Sequence, residues 1–274
     1  MNETPIINHY QKGDLLETIY STLKNSGKEL SDLTTADLRF MDELHIGGHA
    51  ASLQLAKTAA LPANSEVLDV GCGIGGPARL LAAEYDCQVT GLDITEEYCK
   101  IAETLTKAVG LKSKVSFING NALCLPFAPE SFDAIWSQHC SMNVENKRLL
   151  FSEFSRVLKN RGQLIVHDVT KGPNQPIYFP VPWAGEESIS HLIEEDTMLI
   201  LLQKSGFRST HWKNISGWAQ TWFKGANRPA PQDSPPPLTQ KLVTGDGLKT
   251  MVRNVIKNLD EDRIRVFEGI FTSE

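Results

Sequence analysis

Glu66-Val67-Leu68-Asp69-Val70-Gly71-Cys72-Gly73-Ile74-Gly75-Gly76-Pro77 decides how this 274-residue chain folds. The apolar run Val67, Leu68 and Val70 reads as a buried parallel strand. Glycines 71, 73, 75 and 76 follow, and a helix is expected to open at or near Pro77. Glycine carries no Cβ, so the chain can turn tightly there and a ligand can approach the backbone. The new helix points its free N–H groups and positive end at that ligand. Gly71-x-Gly73-x-x-Gly76 fits the dinucleotide fingerprint, a pattern that discriminates little by itself.

Asp69 changes the reading. It ends a strand otherwise built for burial, and a carboxylate there repels a pyrophosphate. A phosphate-free, partly cationic ligand fits better, and S-adenosylmethionine, with its ammonium and sulfonium, is one. A second acid, Asp93, ends the next apolar run, Val89-Thr90-Gly91-Leu92, where it suits both hydroxyls of a ribose. The bland alternative is a Rossmann-like unit whose acids merely cap helices.

Val67 to Gly76 resembles the first motif of the class I S-adenosylmethionine-dependent methyltransferases, and Gly91-Leu92-Asp93-Ile94-Thr95 resembles the second. The likeness continues through Asn119-Gly120-Asn121-Ala122, Phe132-Asp133-Ala134-Ile135-Trp136 and Arg156-Val157-Leu158-Lys159, and spans residues 45 to 215. Leu44-His45-Ile46-Gly47-Gly48 is similar to a segment of the subgroup that includes sarcosine and dimethylglycine N-methyltransferases. Ubiquinone- and menaquinone-type small-molecule methyltransferases are similar too. The resemblance implies an α/β, Rossmann-like, seven-stranded, mostly parallel sheet with an antiparallel last strand. It also implies an N-terminal helical lid over residues 1–44, a methyltransferase domain over 45–274, and substrate-side insertions at 171–195 and 216–262. By the same resemblance Tyr10 covers the methionine end of the cofactor. Asn121 meets the adenine amino group, the Ala122 N–H meets a ring nitrogen, and Leu123 and Ile94 sandwich the base. With Asp69, Gly71, Gly73 and Asp93 these make up the expected cofactor site.

The rest of the chain agrees with that frame. The net charge of −6 argues against a nucleic-acid or anionic-membrane surface. No apolar run is long enough to span a bilayer, and the first residues lack a signal-peptide pattern. The five cysteines show no Cys-x-x-Cys spacing. They read as free thiols in a reducing cytosol, with no metal site expected. The partner expected is a small-molecule methyl acceptor, with room for a homodimer.

Helical spacing of Leu15, Leu16, Ile19, Tyr20 and Leu23 predicts an amphipathic helix. Thr95 caps a helix whose stripe Tyr98, Ile101, Ala102, Leu105 and Val109 reads as core. Leu149 to Leu158 predicts another, with Lys159 and Arg161 suited to its end. Ser137 to Asn143 lies at the carboxyl end of the fourth strand, the ligand edge of a parallel sheet. Gln138 and His139 are therefore candidate catalytic residues, Gln138 also a cofactor contact, and His139 a general base or an orienting partner. His45 is a third catalytic candidate. Asn143, His167 at the end of the fifth strand, and Tyr178 and Trp183 in the proline-rich stretch 171–186 are the candidate substrate contacts. Pro229 to Pro237 reads as a linker.

Transfer from a sulfonium moves positive charge to the acceptor, so the protein must supply alignment and dryness. The histidine-glycine segment points to an amine of the glycine or sarcosine type. The pocket aromatics suit a quinone, phenol or polyketide, methylated on oxygen or carbon, equally well. A nicotinamide-dependent oxidoreductase and a non-catalytic S-adenosylmethionine-binding protein are the rival classes.

Overall fold

The computed structural model describes residues 4–11, 13–225 and 237–274. The expected linker at 229–237 lies outside the described residues, apart from Pro237. The strands are β1 (Glu66–Val70), β2 (Gln88–Asp93), β3 (Val115–Asn119), β4 (Phe132–Gln138), β5 (Leu158–Lys171), β6 (Phe207–Asn214) and β7 (Ile264–Ser273). The helices are α1 (Thr4–Tyr10), α2 (Leu15–Asn25), α3 (Thr35–Leu38), α4 (Gly48–Ala59), α5 (Gly76–Glu84), α6 (Glu96–Ala108), α7 (Lys147–Val157), α8 (Glu195–Lys204), α9 (Ser216–Phe223), α10 (Gln240–Thr244) and α11 (Leu248–Asp260). All strands join one sheet in the order β3-β2-β1-β4-β5-β7-β6. The pairs from β3 to β5 are parallel, and β7 runs antiparallel to both β5 and β6. The expected Rossmann-like sheet with its reversed last strand is therefore present.

The sheet is covered on both faces, which is why its central strands are largely apolar up to their carboxyl ends. Successive side chains point to opposite sides. Val67, Ala134 and Trp136 pack with Leu55 of α4 and Leu80 and Leu81 of α5. Leu68, Val70 and Ile135 pack with Leu150 and Phe154 of α7 and Met198 and Leu202 of α8.

Within the expected lid, Ile6, His9 and Tyr10 of α1 and then Asp42 and Leu44 reach the cavity at the carboxyl ends of the strands, whereas Leu15, Ile19 and Leu23 of α2 pack on Tyr98, Ile101 and Leu105 of α6. The insertion between β6 and β7 packs Ala219, Val255 and Leu259 against Val181 and Trp183 of the proline-rich stretch. Lys159 and Arg161 belong to β5 and not to a helix end. Leu158 is already extended and pairs with Phe132, so α7 stops at Val157, and Lys159 bridges Asp133 at 2.8 Å.

Gly71 shows why the turn after β1 needs glycine. Its φ is +76°, and a Cβ would lie 2.7 Å from Cβ of Cys140. Without that Cβ, the loop after β4 can close onto the loop after β1.

Candidate functional site

The strand order reverses between β1 and β4, and in open α/β sheets ligands bind outside the carboxyl ends at such a point. A cavity of about 200 Å³ lies there. Asp69, Gly71 and Gly73 at the end of β1, Asp93 and Ile94 at the end of β2, Asn121 and Ala122 after β3, and Gln138 and His139 at the end of β4 all line it. Tyr10, His45, Asn143 and Trp183 join from the flanks. Tyr178, His167 and Leu123 do not line it.

The half of the cavity over β1 to β3 carries two acids. Asp93 accepts the Thr95 N–H on Oδ1 at 2.8 Å and the Gly73 N–H on Oδ2 at 2.9 Å. Each oxygen keeps a lone pair for a hydroxyl. Burial pushes its carboxyl up, and those two N–H groups oppose the rise. Asp69 is only 2% exposed, and its Oδ2 has no partner. Burial, then the nearby charges of Glu43 and Asp93, raise its pKa well above the usual range. An unpaired buried carboxyl is costly, and a cation in the cavity relieves that cost. Gly73, at φ +53°, leaves open space where a Cβ would stand. These features fit a nucleoside with a cationic tail.

The expected base contacts are partly placed. The Asn121 Oδ1 accepts the Leu123 N–H at 2.8 Å, which fixes its side chain and leaves the oxygen one lone pair. Leu123 packs on the core around Leu125 and Phe132 instead of lining the cavity, which leaves Ile94 as the apolar contact. Tyr98, read as a core residue, also lines the cavity, 6.1 Å from the Tyr10 ring between centroids.

Three imidazoles meet at the other end. The ring of His139 lies 5.1 Å from that of His167 and 5.9 Å from that of His45. His139 sits at φ +49°, an uncommon conformation for a residue with a side chain. Burial lowers its pKa well below the ordinary value, with His167 and then His45 adding to the effect. Its Nε2 is buried without a partner, which leaves Nδ1 as the nitrogen a ligand can reach.

His45 is held differently. Its Nε2 lies 2.8 Å from Glu43 Oε2, and its Nδ1 lies 3.3 Å from the Ile46 carbonyl. Burial opposes the Glu43 charge, but hydrogen bonds from His45, His49 and Ser52 hold its pKa at about 2. An ionised carboxylate only accepts, so His45 donates from Nε2. Both nitrogens thus lie beside protein groups, while the ring also lines the cavity.

Gln138 lines the cavity with its amide held by its neighbours. The Trp136 indole can only donate, and it donates to Gln138 Oε1 at 2.8 Å, beside Ser52 Oγ at 3.0 Å. The amide NH2 then faces His167 Nδ1 at 3.3 Å. His167 therefore lies behind the site, paired with Gln138 on β4 and Glu268 on β7, and is not a substrate contact.

The remaining expected contacts divide. Trp183 lines the cavity with its indole anchored on Ser190 at 3.0 Å. Asn143 is a joint: it accepts the Tyr10 hydroxyl at 2.8 Å and donates to the carbonyls of Trp183 and Ile189 at 2.7 and 3.0 Å. Tyr178 is drawn away by cations, with Lys257 Nζ 3.8 Å and Arg263 4.2 Å from its ring centre.

Arg79 escaped the sequence reading. Buried on α5, it bonds Asp42 and the Ile74 carbonyl, each at 2.7 Å, and Thr106 at 2.9 Å. It ties the glycine turn to α6 and to the chain before α4. Val243, Thr244 and Met251 of α10 and α11 also line the cavity, far from any motif. All five cysteines are free. Among the described residues, no group of three or more His, Cys, Asp or Glu side chains is placed to hold a metal, and no helix is long and apolar enough to cross a membrane.

The family described as "Methyltransferase domain" matches residues 68–166, from β1 into β5. Ajmaline N-methyltransferase of Rauvolfia serpentina is 40% identical over 131 residues, covering 44% of this chain and 45% of that enzyme. The chain thus spans about half the length of that relative. An uncharacterized protein of Haemophilus influenzae is 32% identical over 170 residues, 61% of this chain and 67% of its own. The crystal structure of a putative sarcosine dimethylglycine methyltransferase from Galdieria sulphuraria shares the fold, with a TM-score of 0.64 and 17% identity over 94% of this chain and 97% of that one. A shared domain, a shared sheet and a cavity placed where such sheets bind their ligand agree, and the chain belongs to the class I S-adenosylmethionine-dependent methyltransferases.

Proposed function

We propose that the chain is an enzyme that moves a methyl group from S-adenosylmethionine to a small-molecule acceptor. The observation that carries this reading is the pairing of Asp69 and Asp93 on either side of the open glycine turn, in one cavity with His139. Asp93 takes the ribose hydroxyls, and Asp69 takes the ammonium of the methionine tail. Ile94, Asn121 and the Ala122 N–H receive the adenine. When bound, the cofactor supplies an electrophilic methyl on a sulfonium.

The chain's own contribution is placement and dryness. The α1 helix closes one side through the Tyr10–Asn143 bond and through His9 Nε2, 2.9 Å from the Pro182 carbonyl. Trp183 forms the opposite wall. His139 orients the acceptor through Nδ1. Burial and the two neighbouring imidazoles disfavour its charged form. His45 and Gln138 act on His139 only as packing and support.

The test is incubation of the full chain with S-adenosylmethionine carrying a labelled methyl group and a metabolite panel. Label in a small acceptor supports the reading. Tight cofactor binding with no transfer to any acceptor would favour a non-catalytic binding protein.

A further inference from the structure

We infer that the acceptor is an apolar amine without a carboxylate, methylated on nitrogen, with its N–H turned toward His139. The inference rests on the methyltransferase reading and narrows it to a substrate class.

Three observations converge. The cavity lining includes the apolar side chains Ile6, Leu44, Met142, Trp183, Val243 and Met251, of which Ile6, Met142 and Trp183 pack in one cluster and Leu44 and Val243 in another with Tyr98. Among the described residues, no lysine or arginine lines the cavity, so a carboxylate on the acceptor finds no cationic side chain to pair with. A buried charge without a partner is strongly disfavoured. That weighs against glycine, sarcosine and other amino-acid acceptors.

The polar side chains beside them are largely committed. Tyr10 is bonded to Asn143, Asn143 to Trp183 and Ile189, and Thr244 Oγ1 to the Gln240 carbonyl at 2.9 Å. His139 is the side chain left to address a polar group on the acceptor.

Nitrogen is favoured over oxygen by the same surroundings. Among the described residues, the titratable groups that act on the His139 ring are the two imidazoles and no carboxylate. A neutral imidazole there offers one ring nitrogen as a hydrogen-bond acceptor and is a poor taker of a proton. Its lowered pKa agrees with that geometry. Burial in an apolar pocket pushes a phenol's pKa up from about 10, away from the nucleophilic anion. The same burial pushes an amine's pKa down, toward the neutral form that carries the lone pair. The pocket thus activates an amine by desolvation alone. The amine lone pair forms the new N–C bond as the S–C bond breaks, and the sulfur keeps that electron pair. Positive charge passes from sulfur to nitrogen. A proton remaining on a product from a primary or secondary amine is lost to water after release.

The test uses the full chain loaded with S-adenosylhomocysteine and titrated calorimetrically with a panel of apolar secondary amines, headed by tetrahydroisoquinoline. The matched probes are its carboxylated analogue, naphthol and sarcosine. The expected result is binding of the apolar amine with at least about tenfold preference over its carboxylated analogue. Labelled methyl is expected on nitrogen, with none on naphthol. Met251→Arg, which supplies the missing cation, is expected to reverse the preference for the uncharged member of the pair. Preference of the unaltered chain for sarcosine or the carboxylated amine, methylation of naphthol, or no binding of any apolar amine would each overturn the inference. Those outcomes leave the methyltransferase reading standing. Failure of S-adenosylmethionine itself to bind would remove that reading instead.

Discussion

The two halves of the cavity are made by different means. The half over β1, β2 and β3 is built from strand ends, where backbone geometry fixes side-chain positions to within one residue of a glycine or an acid. The half over β4 and β5 is walled by α1, the stretch around Trp183 and the insertion between β6 and β7, which arrive from distant parts of the chain. The first half carries the two acids, and the second sets imidazoles among apolar walls. A donor common to many enzymes needs an invariant cradle, whereas an acceptor peculiar to one enzyme is met by whatever the loops carry.

The sharpest way to break this division lies at the seam, at Arg79. Arg79→Ala leaves Asp42 buried without its partner and unties the glycine turn from α6. Unfolding free energy is expected to fall by about 3–5 kcal/mol in urea denaturation. A loss below about 1 kcal/mol would show that the seam does not depend on this pair.

Asp93→Ala probes the first half alone. It removes the ribose acceptor and releases the Gly73 and Thr95 N–H groups. Cofactor affinity is expected to drop by about 2–3 kcal/mol, up to roughly a hundredfold, in a calorimetric titration. Unchanged affinity would contradict the ribose assignment.

Asp69 gives the first half a pH dependence. Its pKa is raised in the free protein, and a bound ammonium lowers it. Cofactor affinity should therefore rise with pH until the free-protein pKa is passed, by about tenfold for each unit the two states differ. Binding should release a proton, read as a buffer-dependent enthalpy. In Asp69→Asn both effects should vanish, and their persistence would assign the titration elsewhere.

The smallest effects sharpen the second half. Tyr10→Phe breaks the bond to Asn143 and should cost about 0.5–1.5 kcal/mol, seen as a raised acceptor KM more than a lowered kcat. Tyr178→Phe, remote from the cavity, should leave both constants unchanged. A raised KM there would bring Tyr178 back into the pocket wall.

What the sequence revealed follows the same line. Val67 to Pro77 and Val89 to Asp93 announce themselves because burial on two faces, then glycine, then acid, is a local pattern. Gln138 and His167 were visible as residues at strand ends. Their roles were not, because whether a side chain faces the ligand or a buried indole depends on Trp136 and Ser52 across the sheet. Tyr98 kept the spacing of a core residue because a cavity wall and a core face share one helical period. Glu43 stood beside His45 in plain view, yet nothing local said that it anchors His45, His49 and Ser52 together. Arg79, Val243 and Met251 carried no signal, since their partners are supplied only by the tertiary fold.

A single calorimetric comparison of S-adenosylmethionine with NAD tests the central claim. Two acids beside an open glycine turn should bind the sulfonium nucleoside at one site per chain and reject the dinucleotide, whose pyrophosphate would face Asp69. Binding of NAD in preference to S-adenosylmethionine would contradict the account.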